Sequence, residues 1–321
     1  MNELLILLLK TARRLNNIYN PNSSFGRNWK LFSNKLYAND LIYSVLKEDK
    51  PCMIARFGAF ELNCLVNYIG VKYKERFKSF RYFIKGQTPE WWWNQSLLQH
   101  MHTNAGFFPI NTAKIENFCE QMLNDMTEVN ILGSWLKQES FFQENLKNAK
   151  RVVLEDLEPF FATNPWTRAL KGKKVLVVHP FAETIKKQYQ KREYLFDNDL
   201  LPEFELTTIK AVQSIAGTNT PFADWFEALE SMKTKIDKID YDICIIGAGA
   251  YGFPLAAHVK RMGKKSIHLA GATQLLFGII GKRWEEYIVW PYINLFNEHW
   301  VRPGENEKPK NVKAVEGGCY W

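Results

Sequence analysis

The stretch Asp242-Ile-Cys-Ile-Ile-Gly247-Ala-Gly249-Ala-Tyr-Gly252 decides the fold of this chain. A short apolar run, typical of a buried strand, leads directly into G-x-G-x-x-G, and a helical pattern follows over 253–262. The glycines permit a tight turn and a close backbone approach to a ligand, and the helix start offers amide groups and partial positive charge. The sequence therefore predicts a Rossmann-like unit with a phosphate site at Gly247, Gly249 and Gly252.

Two features of a dinucleotide-binding fingerprint are missing. The next strand, Ser266-Ile-His-Leu-Ala-Gly271, ends without the Asp or Glu that would bind ribose hydroxyls. The glycine turn also lies near residue 247, rather than at the start of a two-half nucleotide domain. We therefore expect phosphate or nucleotide binding here. The alternatives are a turn that serves packing alone and an NAD(P)-dependent oxidoreductase.

Similar apolar runs recur along the chain and alternate with helical patterns. Each is bounded by polar, Gly or Pro residues, as buried parallel strands are: 52–57, 129–134, 151–154, 174–179, 204–211 and 266–270. In the intervening helices, apolar residues recur three and four positions apart, as in 115–126 and 222–236. This alternation predicts an α/β fold, a mainly parallel sheet flanked by helices, with a Rossmann-like C-terminal half.

The predicted organisation is one α/β domain with an extension before it and an irregular tail at its end. Residues 1–38 form a helical extension, and residues 39–321 form the α/β domain, with halves of about 39–170 and 171–321. From 284 onward no period is visible, which predicts the irregular C-terminal tail. Within the first half, Thr88 before Pro89 predicts the start of a helix.

The composition is that of a globular protein, with 321 residues of which 46% are apolar. The five cysteines form no C-x-x-C pair, which disfavours a disulfide framework and a zinc ribbon and favours a reducing, cytoplasmic location. Basic residues exceed acidic ones by 42 − 34 = 8, which favours anionic partners, but no long basic block predicts a nucleic-acid partner. Motifs of zinc proteases, serine hydrolases and P-loop enzymes are absent from the sequence.

Residues 1–20 have the pattern of a segment that contacts a membrane surface. Residues 4–9 are apolar, and Lys10, Arg13 and Arg14 follow. The apolar run is too short to span a bilayer. We expect peripheral contact with the inner membrane through residues 1–20, and the alternative is a helix packed on its own protein.

Two further candidate sites lie at the ends of predicted strands. In Ile54-Ala-Arg56-Phe-Gly58-Ala-Phe-Glu61, the planar guanidinium of Arg56 suits a phosphate or carboxylate, Gly58 allows a turn, and Glu61 falls in the first turn of the next helix. His179 ends another strand and suits phosphate binding or proton transfer near neutral pH. The alternatives are an ion pair between Arg56 and Glu61, and a purely structural His179.

These motifs resemble those of one known family. The segment Arg56-Phe-Gly-Ala-Phe-Glu61 is similar to the R-[FY]-G-D-G-E signature of bacterial glycosyltransferases with the GT-D fold, and 247–252 with Gly271-Ala-Thr273-Gln274 resembles their nucleotide side. Four more segments resemble a branch associated with surface polysaccharide genes: His179-Pro-Phe, Gln188-Tyr189, Ile209-Lys210-Ala-Val-Gln213 and Glu316-Gly-Gly-Cys-Tyr-Trp321. The resemblance covers about residues 40–321.

The resemblance implies transfer of a sugar from a nucleoside diphosphate donor to a glycan or lipid-linked acceptor. It implies that Glu61 is the remaining acid of the family's D-x-E pair. We expect Glu61 and His179 to be catalytic, with either one deprotonating the acceptor hydroxyl. The resemblance places Arg56 and Gly58 at the donor pocket. The residues that we expect at the donor or its phosphates are Arg56, Gly58, Gly247, Gly249, Gly252, Thr273, Gln274 and Lys210. The aromatic residues that we expect to stack on acceptor sugars are 91–93, Trp135 and Trp284, and packing on a helix surface is the alternative for 91–93.

The chain departs from the family at the expected metal site. The family often binds a divalent metal through a D-x-E pair, but here Ala59 replaces the Asp and Phe60 the middle Gly, which leaves Glu61. One carboxylate is a poor site for Mn²⁺ or Mg²⁺, because hard cations take several oxygen ligands. This departure raises a second alternative, a non-catalytic sugar- or nucleotide-binding scaffold. The side chains that would instead neutralise the leaving diphosphate are Arg56, Lys210 and Lys282-Arg283.

Overall fold

A parallel β-sheet organises the chain, of which the structure, a computed structural model, describes residues 2–20, 31–286, 292–309 and 311–321. Predictions that fall on 1 and 21–30 in the N-terminal extension, and on 287–291 and 310 in the tail, lie outside the described residues. The strands are β1 (Cys52–Arg56), β2 (Ile131–Ser134), β3 (Lys150–Val153), β4 (Lys174–His179), β5 (Glu205–Lys210), β6 (Ile243–Ile246) and β7 (Lys265–His268). Each coincides with a predicted strand, so the predicted α/β fold is confirmed.

The seven strands form one sheet in the order β3-β2-β1-β7-β6-β4-β5, and every pairing is parallel. The two predicted halves contribute β1–β3 and β4–β7, and they meet where β1 pairs with β7. Both faces of the sheet are covered. Along β1, Met53 and Ala55 pack into one apolar core, whereas Cys52 and Ile54 pack into the other. Burial on both faces explains why these strands are continuous apolar runs.

Helices cover both faces of the sheet and link its strands. They are α1 (Glu3–Tyr19), α2 (Lys35–Lys47), α3 (Ala59–Lys72), α4 (Lys74–Phe77), α5 (Phe80–Ile84), α6 (Gln95–Thr103), α7 (Thr112–Asp125), α8 (Leu154–Leu157), α9 (Ala182–Tyr189), α10 (Trp225–Asp237), α11 (Gly252–Arg261), α12 (Ala272–Leu276) and α13 (Lys282–Glu285). Helix α2 crosses the boundary predicted at residue 38. Among the described helices, none has the length and apolar composition needed to cross a bilayer.

The predicted helix start at Thr88 is wrong. The helix begins at Gln95, where the side chain of Asn94 accepts a hydrogen bond from the amide of Leu97 at 3.2 Å. Before that point, the Asn67 side chain donates to the carbonyls of Glu90 at 3.2 Å and Trp92 at 2.8 Å. These tertiary hydrogen bonds hold the segment in an irregular conformation, against the local signal of the proline.

The described parts of the tail form short 3₁₀ turns that pack over the body of the domain, as the lack of periodicity predicts. The amide of Ile280 donates to the carbonyl of Val301 at 2.8 Å, which fixes the chain beside the end of α12. Further along, 315–321 returns to the carboxyl ends of the strands, where Tyr320 and Trp321 pack against apolar core residues. The tail therefore covers the carboxyl ends of the strands, where α/β proteins bind ligands.

Candidate functional site

A cavity lies at the carboxyl ends of β1, β4, β6 and β7, close to the point where the strand order reverses. Its volume is about 190 Å³, which is room for a ligand group as well as several waters. The predicted site residues that line it are Arg56, Gly58, Glu61, His179, Gly247, Gly249 and Gln274. The structure thus brings three motifs that are distant in the sequence into one cavity.

The guanidinium of Arg56 reaches the cavity without an acidic partner. Its Nε and Nη2 donate to the carbonyl of Phe57, at 3.2 and 3.0 Å. Within the described ranges, no carboxylate oxygen lies within 4.0 Å of it, so the ion pair with Glu61 does not form. Desolvation lowers the pKa of Arg56. A half-buried cation with no carboxylate in direct contact favours an anionic ligand, and its planar fork suits phosphate.

Trp135 fixes the position of Arg56. Its ring centroid lies 4.8 Å from Cζ of Arg56, and its Nε1 donates to the same carbonyl of Phe57 at 3.1 Å. The buried carboxylate of Glu139 in turn accepts hydrogen bonds from the amide of Trp135, at 3.0 Å, and from the hydroxyl of Ser134. Trp135 lines the cavity, and its stacking on an acceptor sugar stays a prediction. Glu139 had no sequence signal beyond its place after a strand.

The carboxylate of Glu61 folds back over Gly58, the capping residue of α3. A Cβ at Gly58 would collide with Oε2 of Glu61, so only glycine leaves room for this arrangement. Burial raises the pKa of Glu61, although its own amide and Arg56 act in the opposite direction. A carboxylate with a raised pKa is a better proton acceptor, since catalytic bases work best when their pKa approaches the working pH.

His179 is a neutral imidazole that donates into the cavity. The amide of Phe181 donates to Nδ1 at 3.0 Å, so the ring proton of the neutral form lies on Nε2. Burial lowers the pKa of His179 to about 3. The group is therefore a weak base, and the geometry favours a hydrogen-bond donor to an anion over the predicted role of His179 as a base.

The glycine turn offers fewer free amides than the motif predicts. Three of its amides donate to backbone carbonyls: Gly247 to Val178 at 2.9 Å, Ala250 to Ala105 at 3.1 Å and Tyr251 to Ala248 at 3.1 Å. The amide of Gly252 donates to the carbonyl of Gly249. Among the described residues, the amides of Ala248 and Gly249 have no acceptor, so a phosphate at this turn would find two free amides at most, which weighs against the dinucleotide-binding alternative.

His268 is a cavity residue that the sequence did not single out. It ends β7, and its Nδ1 donates to the carbonyl of Ile246 at 3.2 Å, which leaves Nε2 as an acceptor. Burial, and secondarily Arg56, lower its pKa to about 3. Gly252 packs against this ring, because a Cβ at Gly252 would collide with Cε1 of His268. Gly252 therefore supports His268 and does not line the cavity.

The C-terminal tail closes one side of the cavity through Val315, Glu316, Tyr320 and Trp321. Gln274 holds it there, because its Nε2 donates to the carbonyl of Tyr320 at 3.2 Å and to that of Ile279 at 3.2 Å. Arg283 binds the tail as well. It pairs with Glu316 and donates to the hydroxyl of Tyr320 at 3.2 Å. Gln274 thus faces the cavity but is occupied by structural hydrogen bonds.

Four side chains that were predicted to bind ligands contact other protein groups instead. Thr273 is buried and donates to the carbonyl of Ile246 at 3.3 Å. Lys210 is exposed, and its Nζ lies 3.5 Å from the carbonyl of Asn306. Lys282 is also exposed and pairs with Glu286 at 3.8 Å. Trp284 is buried beside Tyr320.

The aromatic run 91–93 belongs mainly to the core. Trp91 and Trp92 pack with Leu9 of α1 and Phe83 of α5 in a small apolar cluster, which supports the alternative of packing on helix surfaces. Trp93 is half-buried and stacks on Tyr68 at 6.3 Å.

The donor set of the cavity does not fit a dedicated metal site. Across the residues that the structure describes, no group of three or more His, Cys, Asp or Glu side chains is arranged to hold a metal. Glu61 is the one carboxylate of the R-x-G-x-x-E motif, and the other cavity carboxylate, Glu316, is paired with Arg283. We therefore derive no step through a metal.

A second cavity lies beside the first, and Phe60 lines both. The new cavity is bounded by Arg13 of α1, by α3 and by 86–97. Oε2 of Glu90 and Oγ1 of Thr88 are buried there with no hydrogen-bond partner among the described residues. His100 stacks on Phe60 at 5.1 Å and also lines it. Buried acceptors without donors favour a ligand rich in hydroxyl groups.

Comparisons with family models, with curated proteins and with solved structures find no match for this chain.

Proposed function

We propose that this protein is a glycosyltransferase that uses a nucleoside diphosphate sugar. The observation that carries the proposal is the convergence of Arg56, Glu61 and His179 on one cavity at the carboxyl ends of parallel strands. Arg56 and Nε2 of His179 supply donors to a diphosphate, and Glu61 supplies a carboxylate beside them. The resemblance of the motif Arg56 to Glu61 to the GT-D signature points to the same reaction.

In the proposed reaction, the acceptor hydroxyl oxygen forms a bond to the anomeric carbon of the donor sugar. The bond from that carbon to the phosphate oxygen breaks, and the diphosphate leaves with the electron pair. The hydroxyl proton goes to Glu61, whose raised pKa makes it the stronger base of the two predicted residues. Arg56 and His179 stabilise the charge that develops on the diphosphate.

The second cavity is the proposed place of the acceptor. It adjoins the first at Phe60, and its unpartnered oxygens on Glu90 and Thr88 suit sugar hydroxyls. Saturation-transfer NMR with a panel of methyl glycosides tests this assignment. We expect binding that Glu90→Gln weakens while nucleotide binding is unchanged. Equal signals from the variant and the parent protein would contradict it.

Donor binding is tested by thermal shift with UDP, GDP, CDP, ADP and NAD(H). We expect one nucleoside diphosphate to raise the unfolding temperature and NAD(H) to have no effect. Arg56→Gln should weaken that binding about tenfold to a hundredfold, because a charged hydrogen bond is lost. Lys171→Gln is the matched control, since Lys171 is exposed just before the amino end of β4, whereas the cavity lies at the carboxyl ends of the strands. A shift with NAD(H) alone would favour the oxidoreductase.

Catalysis is tested separately with Glu61→Gln. We expect release of nucleoside diphosphate from the donor sugar to fall at least about a hundredfold, while the thermal shift remains, because the base is lost and the diphosphate contacts are kept. A protein that binds the nucleotide and releases no product, in parent and variant alike, would instead be the non-catalytic scaffold.

A further inference from the structure

We infer that α1 and the segment 72–85 form a docking surface for an anionic phospholipid bilayer. The inference does not depend on the proposed function, because none of the side chains on which it rests lines either cavity. It extends the predicted membrane contact of residues 1–20 to a second, basic segment of the fold.

Helix α1 is apolar on two opposite faces. Ile6 and Leu9 pack on Phe83 and on the aromatic run that follows it, so α1 is docked on its own protein. The side chains on the other face remain exposed: Leu4 by 63%, Leu7 by 62%, Leu8 by 59%, Leu15 by 51% and Ile18 by 66%. An apolar stripe of this length on a water-exposed helix is typical of a surface that enters a membrane interface.

The basic segment 72–85 lies against α1 through α5. It contains six Lys or Arg residues and one acidic residue, so its net charge is 6 − 1 = 5. Four cations in it are exposed, with no carboxylate within 4.0 Å in the described parts of the chain: Lys74, Arg76, Lys78 and Arg81. Three exposed aromatic rings lie among them: Tyr73, Phe80 and Tyr82.

The charges and the rings identify the partner. Basic side chains bind the anionic headgroups of a bilayer, and aromatic rings favour its interface. A second copy of the chain would bring two segments of like charge together, which opposes self-association through this face. A nucleic acid would satisfy the cations, but it would leave the leucine stripe of α1 exposed to water.

Vesicle co-sedimentation of the full chain tests the inference, with neutral phosphatidylcholine vesicles and vesicles that contain about 30 mol % phosphatidylglycerol. We expect binding to the anionic vesicles, much weaker binding to neutral ones, and release as salt rises from about 0.1 to about 0.5 M. The triple variant Lys74→Gln, Arg76→Gln, Lys78→Gln should bind about a hundredfold more weakly at low salt. The matched control Lys147→Gln, Lys171→Gln, Lys238→Gln changes the net charge equally on other exposed surfaces and should bind like the parent.

The apolar stripe is tested with Leu4→Gln, Leu8→Gln, Leu15→Gln, which should lose binding to all vesicles by about a hundredfold or more. Because all three side chains are exposed, the circular dichroism spectrum and the unfolding temperature should not change. Equal binding by both triple variants and the parent would overturn the inference. So would a concentration-dependent dimer, seen by sedimentation velocity and abolished by the leucine variant, with no vesicle binding.

Discussion

Burial holds two imidazoles of the cavity, those of His179 and His268, in the neutral form. The pKa of His179 is lowered to about 3, below its value of 6.5 in an unfolded chain. As the pH falls through about 6.5, the unfolded chain takes up a proton that the folded protein does not bind until about pH 3. The folded protein therefore loses stability in this window, and the same sign holds for His268.

We expect His179→Asn to flatten this pH dependence. The Asn carbonyl can accept the hydrogen bond of the Phe181 amide, but it takes up no proton when the chain unfolds. Between about pH 6 and pH 4, the free energy of unfolding of the parent should fall more steeply than that of the variant, by about 1.4 kcal/mol per pH unit. Urea unfolding across this range measures the difference, and parallel curves would contradict it.

Glu158 provides a control, because its effect on the pH dependence of stability has the opposite sign to that of His179. Burial raises its pKa to about 7, so the folded protein binds a proton that the unfolded chain binds only near pH 4.5. Its contribution to stability is fully present below about pH 4.5 and is lost as the pH rises through 7. Glu158→Gln should therefore make the decline of stability toward acid steeper, whereas His179→Asn makes it shallower.

At the scale of the element, three glycines in the turn between β6 and α11 and just after α11 differ in backbone strain and in how closely they are packed. Gly249 has φ of +51°, and a Cβ there would lie 3.1 Å from the carbonyl oxygen of Ala105. Gly247 has no such φ, but a Cβ there would lie 2.5 Å from the carbonyl of Ala270 and 2.6 Å from Cδ2 of His179. Gly263 has φ of +79° and open space around it.

These environments predict the order of three alanine variants. Gly263→Ala should cost about 1 kcal/mol of unfolding free energy, from strain alone. Gly249→Ala should cost slightly more, because the new Cβ also presses on a backbone oxygen. Gly247→Ala should cost about 1–3 kcal/mol and also weaken nucleotide binding, because it displaces His179. Urea unfolding gives the order, and a Gly247 variant as stable as the parent would exclude the close packing described above.

The sequence was sufficient for elements whose signal is local and insufficient for those set by tertiary contacts. The seven strands were predictable because a strand buried on both faces must be apolar throughout. The segment after Thr88 was not, since Asn67, far along the chain, takes up its carbonyls. Sequence motifs predicted that Arg56 and the glycine turn belong to one site. They did not predict His268, because it reaches the cavity only through the position of β7 between β1 and β6.

For the whole molecule, the pairing of β1 with β7 makes the two predicted halves one sheet. Ile54 of β1 is the register partner of Ile267, which is fully buried between β1 and β6. Helix α11, from the second half, packs on β1 of the first. Opening either half alone would expose the apolar core that both share, so the halves should unfold together.

Hydrogen exchange of the full chain tests this cooperativity. We expect amides of β1 and of β4 to reach the same limiting free energy of opening. Ile267→Ala, which removes buried methyl groups at the junction, should lower both limits equally, by about 2–5 kcal/mol. Val152→Ala, at the edge strand β3, is the comparison, because a smaller cavity at the edge should lower both limits by less. A loss of protection confined to β6 and β7, with β1 unchanged, would mean that the halves are separate folding units and that the cavity between them opens without global unfolding.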